Sequence, residues 1–326
     1  MQSEKFFVTS LDNHKIFVRK WMPENASRDA RAIVHILHGM AEHCTRYEPI
    51  AERLVDAGYT VFAHDHRGHG YSVPQGGLLG HYADNNGWQL VIADVLKVNE
   101  AIRKQHPQTP VMILGHSMGS FITQGYLLQH GRTVDSVVLS GSTLSSPMAV
   151  RSARMLANLE KLRCGPKGRS TLIDIATFSN YNRQITKTPR TSCDWLSRDE
   201  AEVDKYINDP LCGFLCTNQL WLDLAGGMDA ITRASNIRKI PSELPFFLIA
   251  GERDPLSFDS NQHGVDKLAN HLRNGGIRDV SVKLYEDARH EILNETVRHD
   301  VVDDLLRWME PQFPAASTQR KAPATA

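Results

Sequence analysis

The chain has 326 residues and a mass of 36.6 kDa, which fits one large domain or a domain carrying an insertion, because single cores stop growing near about 250–300 residues. Lys plus Arg and Asp plus Glu each number 37, so the formal charge is zero, without the basic surplus of a general nucleic-acid binder. Hydrophobic residues at 41% and charged residues at 23% are globular usage and exclude a disordered chain.

The first strands are expected at Phe6–Thr9 and Lys15–Trp21, joined by a turn at residues 11–14, because the second run alternates polar and apolar residues. Residues 32–37 are mostly apolar and end at His38-Gly39, as a strand buried on both faces would. A helix over residues 47–57 places Ile50, Ala51, Leu54 and Val55 on one face and stops at Gly58. Strands at 60–63, 111–114 and 137–139 alternate with helices over 88–104 and 118–129, which means a parallel sheet covered on both faces. The rhythm breaks after Ser142. Residues 143–244 are helical or irregular, with an amphipathic stretch over 149–162 that sets Val150, Ala153, Leu156 and Leu159 against Arg151, Arg154 and Lys161. Strands return at 246–250 and 280–285, followed by a helix over 297–309. The expected organisation is a core of residues 1–142 and 245–312, a helical cap inserted at 143–244, and a disordered tail at 313–326, rich in Ala, Pro, Thr and Ser.

No run of about 18 apolar residues and no basic-then-apolar leader is present, so neither a transmembrane nor a secretory segment is expected. Cys44, Cys164, Cys193, Cys212 and Cys216 are odd in number and sparse, which suits free thiols in a reducing cytoplasm. Cys212 and Cys216 have no partner pair that would complete a zinc site.

Gly115-His116-Ser117-Met118-Gly119 fits G-x-S-x-G between a strand and a helix. The glycines permit a sharp turn that lifts the Ser117 hydroxyl at the positive end of the helix, where a nucleophile belongs. A hydroxyl needs a base and an orienting acid, in the order Ser, Asp or Glu, His. His290 follows the strand ending at Tyr285, and Asp254 follows the strand ending at Ala250, with Glu252 and Asp259 as other candidate acids. The N–H groups of Met118, and of Met40 in the loop after Leu37, are the expected oxyanion donors. Gly39 and His116 are candidate substrate contacts beside them. Cys44, close in sequence to that loop, is a candidate reagent-sensitive thiol.

His38-Gly39-Met40-Ala41-Glu42-His43, with Arg46-Tyr47, resembles the H-G-x-x-E-H-x-x-R-Y signature of the monoacylglycerol lipases and related lysophospholipases, a serine-aminopeptidase-like S33 branch of the α/β-hydrolases. The stretch from Val61 to Ser72 is similar to that family's V-x-A-x-D-x-x-G-x-G-x-S, and residues 115–119 match its nucleophile turn. The likeness covers residues 1–141 and 246–309. Ser120, where Gly is usual, and Pro255-Leu256-Ser257 after the acid depart from the pattern. The resemblance implies a mostly parallel sheet with helices on both faces and an inserted cap. It further implies a serine ester hydrolase acting on lipid-like acyl esters, with Ser117, Asp254 and His290 as triad and Met40 and Met118 as oxyanion donors. No metal or cofactor is implied. The expected partner is a small-molecule acyl ester, with no nucleic acid and at most peripheral contact with membrane or micelles.

Six of the 15 histidines fall between His35 and His69. Their order differs from a metallo-hydrolase H-x-H-x-D-H box, and a tethering loop in which Asp65 and Arg67 bond nearby backbone is the better reading. Apolar cap residues that could face an acyl chain are Met148, Met155, Leu156, Leu159, Phe178, Phe214, Leu215, Leu220, Trp221, Leu222, Leu224 and Met228. The competing readings are an aminopeptidase of the same fold, holding an amine on Glu200, Glu202 or Asp204, and a non-lipid carboxylesterase. An epoxide or haloalkane hydrolase would carry Asp at position 117, and a binding module would have lost a triad member.

Overall fold

Every residue of Ile33–Leu37 and of Thr60–His64 is buried, the mark of strands covered on both faces. The structure is a computed structural model that describes residues 1–24, 30–257 and 263–315. In chain order the first half runs β1 (Gln2–Thr9), β2 (Lys15–Met22), β3 (Ile33–Leu37), α1 (Glu48–Asp56), β4 (Thr60–His64), α2 (Gly87–Gln105), β5 (Val111–His116), α3 (Met118–His130) and β6 (Ser136–Ser140). Six helices follow: α4 (Pro147–Cys164), α5 (Thr171–Asp174), α6 (Asn180–Ile185), α7 (Glu200–Asn208), α8 (Asn218–Ile231) and α9 (Ala234–Ile237). The chain closes with β7 (Phe246–Gly251), α10 (Gly264–Asn274), β8 (Val280–Tyr285) and α11 (Arg298–Met309).

The eight strands form one sheet in the order β1-β2-β4-β3-β5-β6-β7-β8. The pairs β1–β2 and β2–β4 are antiparallel, and the remaining neighbours are parallel. Side chains alternate across the sheet. Ile33 and Leu37 pack with Val91, Ile122 and Leu268 from α2, α3 and α10, while Val34 and Ile36 pack with Leu54, Val301 and Leu305 from α1 and α11. This is the α/β-hydrolase architecture. No helix among the described residues is long and apolar enough to cross a membrane.

The structure departs from the sequence reading at several points. β1 starts at Gln2, because the hairpin pairs Gln2 with Met22. β5 runs on to His116, which pairs with Ser140. α10 is an element the sequence reading missed, although Val265, Leu268, Ala269 and Leu272 carry its buried stripe. In α4 the predicted apolar face is only partly inward. Val150 and Ala157 are buried, whereas Ala153 and Leu159 are exposed and Leu156 is half-buried. α4 packs on α8, with Val150, Ala157 and Glu160 as its buried side chains. Of the expected tail, Phe313 is buried and its carbonyl accepts from Arg31 Nε at 2.9 Å; residues 316–326 lie outside the described residues.

The histidine-rich segment is a buried tether. Asp65 accepts from the N–H groups of Cys44 (2.8 Å) and Tyr71 (2.7 Å). Arg67 bonds carboxylates and not backbone as expected: Asp94 at 2.6 and 2.8 Å, and Asp12 at 3.0 and 3.2 Å. The two acids converge on this arginine because a buried guanidinium needs counter-charge. His35, His38, His64, His66 and His69 are all fully buried. His35 Nε2 lies 2.9 Å from His64 Nδ1, and the rings of His38, His66 and His69 pack on one another. Burial pushes His35, His38 and His69 down to about 3, and His64 and His66 well below their ordinary value.

These five imidazoles fold neutral, whereas the unfolded chain protonates them near pH 6.5. Their contribution is therefore fully present above that pH and is lost as pH falls toward 3, at about 1.4 kcal/mol per pH unit per histidine. Urea denaturation should show stability falling more steeply than a one-proton slope between pH 6 and 4. A flat profile across that window would refute the neutral cluster.

Candidate active site

Ser117 stands between β5 and α3 with φ 51° and ψ −120°, a conformation few non-glycine residues adopt. Its neighbours explain how the strain is held. A Cβ on Gly119 would lie 2.1 Å from the Leu37 carbonyl oxygen, and one on Gly115 would lie 2.4 Å from Thr123 Oγ1. Only glycine permits α3 to approach β3 this closely. The Ser117 N–H donates to Ser140 O at 2.9 Å. Ser120, the departure after the turn, is used here: its hydroxyl bonds the Ser117 carbonyl (2.6 Å) and Ser142 Oγ (2.8 Å).

His290 and Asp254 converge on this serine. His290 Nε2 lies 2.9 Å from Ser117 Oγ, and His290 Nδ1 lies 2.9 Å from Asp254 Oδ2. The Asp254 carboxylate is wholly buried, and its Oδ1 accepts from the Leu256 N–H at 2.9 Å. A Cβ on Gly251 would lie 2.2 Å from the carbonyls of Ala288 and Arg289, so the loops carrying Asp254 and His290 are packed backbone to backbone. Glu252 points elsewhere, its Oε2 3.4 Å from the Asp287 N–H; Asp259 lies outside the described residues. Burial alone would lower the His290 pKa. The adjacent Asp254 charge and hydrogen bond, with Glu291 and Glu42 beyond, outweigh it and hold the imidazole above its ordinary value.

The loop after β3 runs alongside Ser117. A Cβ on Gly39 would lie 3.3 Å from Ser117 Cβ and 3.3 Å from His116 Cδ2. Met40 follows it, and Met118 opens α3. The Gly39 N–H donates to Glu42 Oε1 at 2.5 Å, and Tyr47 donates to the same oxygen at 2.9 Å. Glu42 Oε2 accepts from Arg46, whose guanidinium also grips Glu291 through two bonds of 2.7 Å. Arg46 therefore ties the Gly39–Met40 loop to the residue after His290. The sequence alone assigns Glu42 and Arg46 no role and does not single out Glu291, whose position beside His290 was the available signal.

Two cavities meet at Ser117. One, of about 210 Å³, is the more polar and is lined by Gly39, His116, Glu42, Glu291, Asp174 and Tyr206. The other, of about 200 Å³, is apolar and is lined by Phe121, Val150, Tyr181, Trp221, Leu224 and Met228. Met40, Ser117, Phe178, Trp195 and His290 border both. Of the expected cap residues, Phe178, Trp221, Leu224 and Met228 line the apolar cavity, and Phe214 and Leu215 the polar one. Met148, Met155 and Leu159 are instead exposed, and Leu220 is wholly buried. Phe121, Tyr181 and Trp195 were missed, since nothing in a helical pattern says which face meets a cavity. Neither Glu200, Glu202 nor Asp204 is among the lining residues. Glu200 and Asp204 pair with Arg190, and Glu202 with Lys205.

His116 is buried, 3.2 Å from Ser140 Oγ, and its ring centroid is 4.9 Å from that of His290. Burial first, then the His290 charge, push it down to about 4, so it is neutral at pH 7. Two sets of side chains could approach a metal ion: Glu42, His116 and Glu291, and His43, Asp209 and Cys212. In the first, Arg46 already pairs with both carboxylates. In the second, His43 Nε2 bonds Asp209 Oδ2 at 2.9 Å. Cys44 is fully buried, and burial raises its thiol well above the ordinary range. That removes the reagent-sensitive thiol expected there, because the thiolate is the reactive form.

The family described as Serine aminopeptidase, S33, matches residues 28–297. Monoglyceride lipase of Mus musculus is 30% identical over 314 residues, covering 95% of this chain and 91% of its own. Monoacylglycerol lipase of Mycolicibacterium smegmatis is 28% identical over 295 residues, covering 89% and 90%. Among solved structures, a highly thermostable carboxyl esterase from Bacillus coagulans, in complex with glycerol, matches with a TM-score of 0.85 at 26% identity, covering 96% of this chain and 99% of that one.

Two outcomes follow from the geometry. A base must be neutral to accept a proton, so kcat/KM should rise with pH through a single ionisation above 6.5, the side to which Asp254 moves His290. A profile flat from pH 5 to 8 would exclude His290 as the base. Arg46→Met leaves two buried carboxylates unpaired and should cost about 3–5 kcal/mol of stability in chemical denaturation; a loss below about 1 kcal/mol would show that the bridge does not hold the loops together.

Proposed function

The chain belongs to the serine aminopeptidase S33 family and is a serine ester hydrolase, and from that premise we propose that it hydrolyses monoacylglycerols through an acyl-enzyme on Ser117. His290 takes the Ser117 proton as the hydroxyl attacks the ester carbonyl. Asp254 fixes the imidazole tautomer and balances its positive form. The N–H groups of Met40 and Met118 hold the oxyanion. His290 then protonates the leaving alcohol and activates the water that frees the acid.

The observation that carries the substrate is the pair of cavities. An acyl chain in the apolar one gains about 0.8 kcal/mol per buried CH₂. A glycerol leaving group in the polar one offers hydroxyl donors to carboxylates. The relatives named monoglyceride lipase and monoacylglycerol lipase support this reading. A lysophospholipid would bring its phosphate into a cavity lined by Glu42, Glu291 and Asp174 and by no Lys or Arg, which disfavours it. An aminopeptidase substrate carries its ammonium on the acyl part, and no acidic side chain lines the apolar cavity.

Residues 143–244 act as the cap over these cavities. Its outer side carries Met148 (76% exposed), Met155 (64%) and Leu162 (84%), which suits peripheral contact with micelles or a membrane surface. The cysteines form no disulfide, which supports a cytoplasmic placement.

Purified enzyme should hydrolyse monooleoylglycerol well above lysophosphatidylcholine and leucine anilide, and Ser117→Ala should lower the rate by about a thousandfold or more. Comparable rates on lysophosphatidylcholine would overturn the substrate choice. Undiminished turnover by Ser117→Ala would overturn the nucleophile.

A further inference from the structure

The polar cavity carries more negative charge than a glycerol needs. Glu42, Glu291 and Asp174 line it, and the Arg46 guanidinium pairs with the two glutamates. No cation among the described residues pairs with Asp174, at the end of α5, and burial alone raises its pKa. The remaining titratable groups facing the cavity are Cys193, Tyr206, His116 and His290, and burial keeps the Tyr206 phenol protonated. Burial keeps the Cys193 thiol raised and His116 neutral.

The walls between the carboxylates are aromatic. Trp195 and Phe178 stack at 5.6 Å between centroids and separate the polar cavity from the apolar one. Tyr206 closes another side, with the Arg46 guanidinium 4.9 Å from its ring centroid on the face toward the buried ion cluster. That contact shows that this environment already accommodates a cation on an aromatic ring. Glu42 and Glu291 share one guanidinium, so with Asp174 the cavity keeps a surplus of carboxylate charge, and such a surplus beside aromatic faces attracts a weakly hydrated cation. A cavity that merely accepted hydroxyl hydrogens would not need both.

We propose that the polar cavity selects esters whose leaving alcohol carries a positive charge, in particular quaternary or primary ammonium alcohols, alongside neutral glycerol. The proposal rests on the ester-hydrolase reading above and narrows its leaving-group side. The reaction balances as for any ester: water adds across the acyl–oxygen bond, the acid and the amino alcohol leave, and nothing is oxidised. The cation sits between Asp174, Glu291 and the Trp195 and Phe178 rings, while the acyl chain occupies the apolar cavity.

The test compares two esters of one fatty acid, differing by one atom. Choline decanoate carries a trimethylammonium group, and 3,3-dimethylbutyl decanoate carries the neutral isostere; monodecanoylglycerol is run beside them. The expected result is a kcat/KM for the choline ester about tenfold above that of its isostere. The ratio should fall toward unity in 0.5 M NaCl and in Asp174→Asn. A ratio below about threefold in low salt, or no turnover of the choline ester by an enzyme that hydrolyses monodecanoylglycerol, overturns the proposal and leaves the ester-hydrolase reading intact. Loss of all three activities overturns that reading instead. A ratio that persists unchanged in Asp174→Asn and in Glu291→Gln alike places the preference outside this cavity and overturns the assignment.

Discussion

The site depends on one close approach. Gly119 brings the first turn of α3 against the carbonyls of Leu37 and His38, so near that a Cβ would collide with both. That contact sets the height of the Ser117 hydroxyl above the sheet and the distance from Ser117 to the loop after β3. The helix end supplies a positive potential where charge develops. The backbone at Ser117 is strained, and three anchors hold it: Ser140 on β6, the Ser120 hydroxyl, and the glycine packing. A larger residue at position 119 would move the serine, the loop and the helix together.

The second constraint is electrostatic. Arg46 is buried and can stay so only with counter-charges, which Glu42 and Glu291 supply. One of these lies three residues from Gly39 and the other adjoins His290. The charge balance of a single guanidinium therefore fixes the two loops relative to each other. Asp254 first, and then Glu291 and Glu42, raise the His290 pKa against the effect of burial. Arg67 does the corresponding work one layer away, where Asp94 and Asp12 hold the turn after β4.

The sheet was legible in the sequence because parallel strands buried on both faces read as apolar runs, and β3, β4, β5 and β7 are such runs. Ser117, Asp254 and His290 were legible because each follows a strand at the same sheet edge, and the structure brings them within hydrogen-bonding reach. The inward face of α4 was not. Val150, Ala157 and Glu160 are buried while Ala153, Met155 and Leu159 are exposed, a face that periodicity does not reveal. Glu291 and Asp174 were invisible for a different reason: a carboxylate gains meaning only from what it faces, and the pattern of charges along a chain does not record that.

The length that looked too great for one core is resolved by where the extra residues lie. The sheet supplies Ser117, Asp254 and His290, while the segment between β6 and β7 supplies Asp174, Phe178, Trp195, Trp221 and Met228. Chemistry and selection are thus built from different stretches of chain. Substitutions at Asp174 or Trp221 change what borders the cavities without touching Gly119, Arg46 or the strand ends that position the hydroxyl. The neutral overall charge acquires a local meaning in the same way. The balance of 37 against 37 is global, but beside Ser117 the acids outnumber the bases, and it is this near field, screened within about 8–10 Å at physiological salt, that a bound substrate feels.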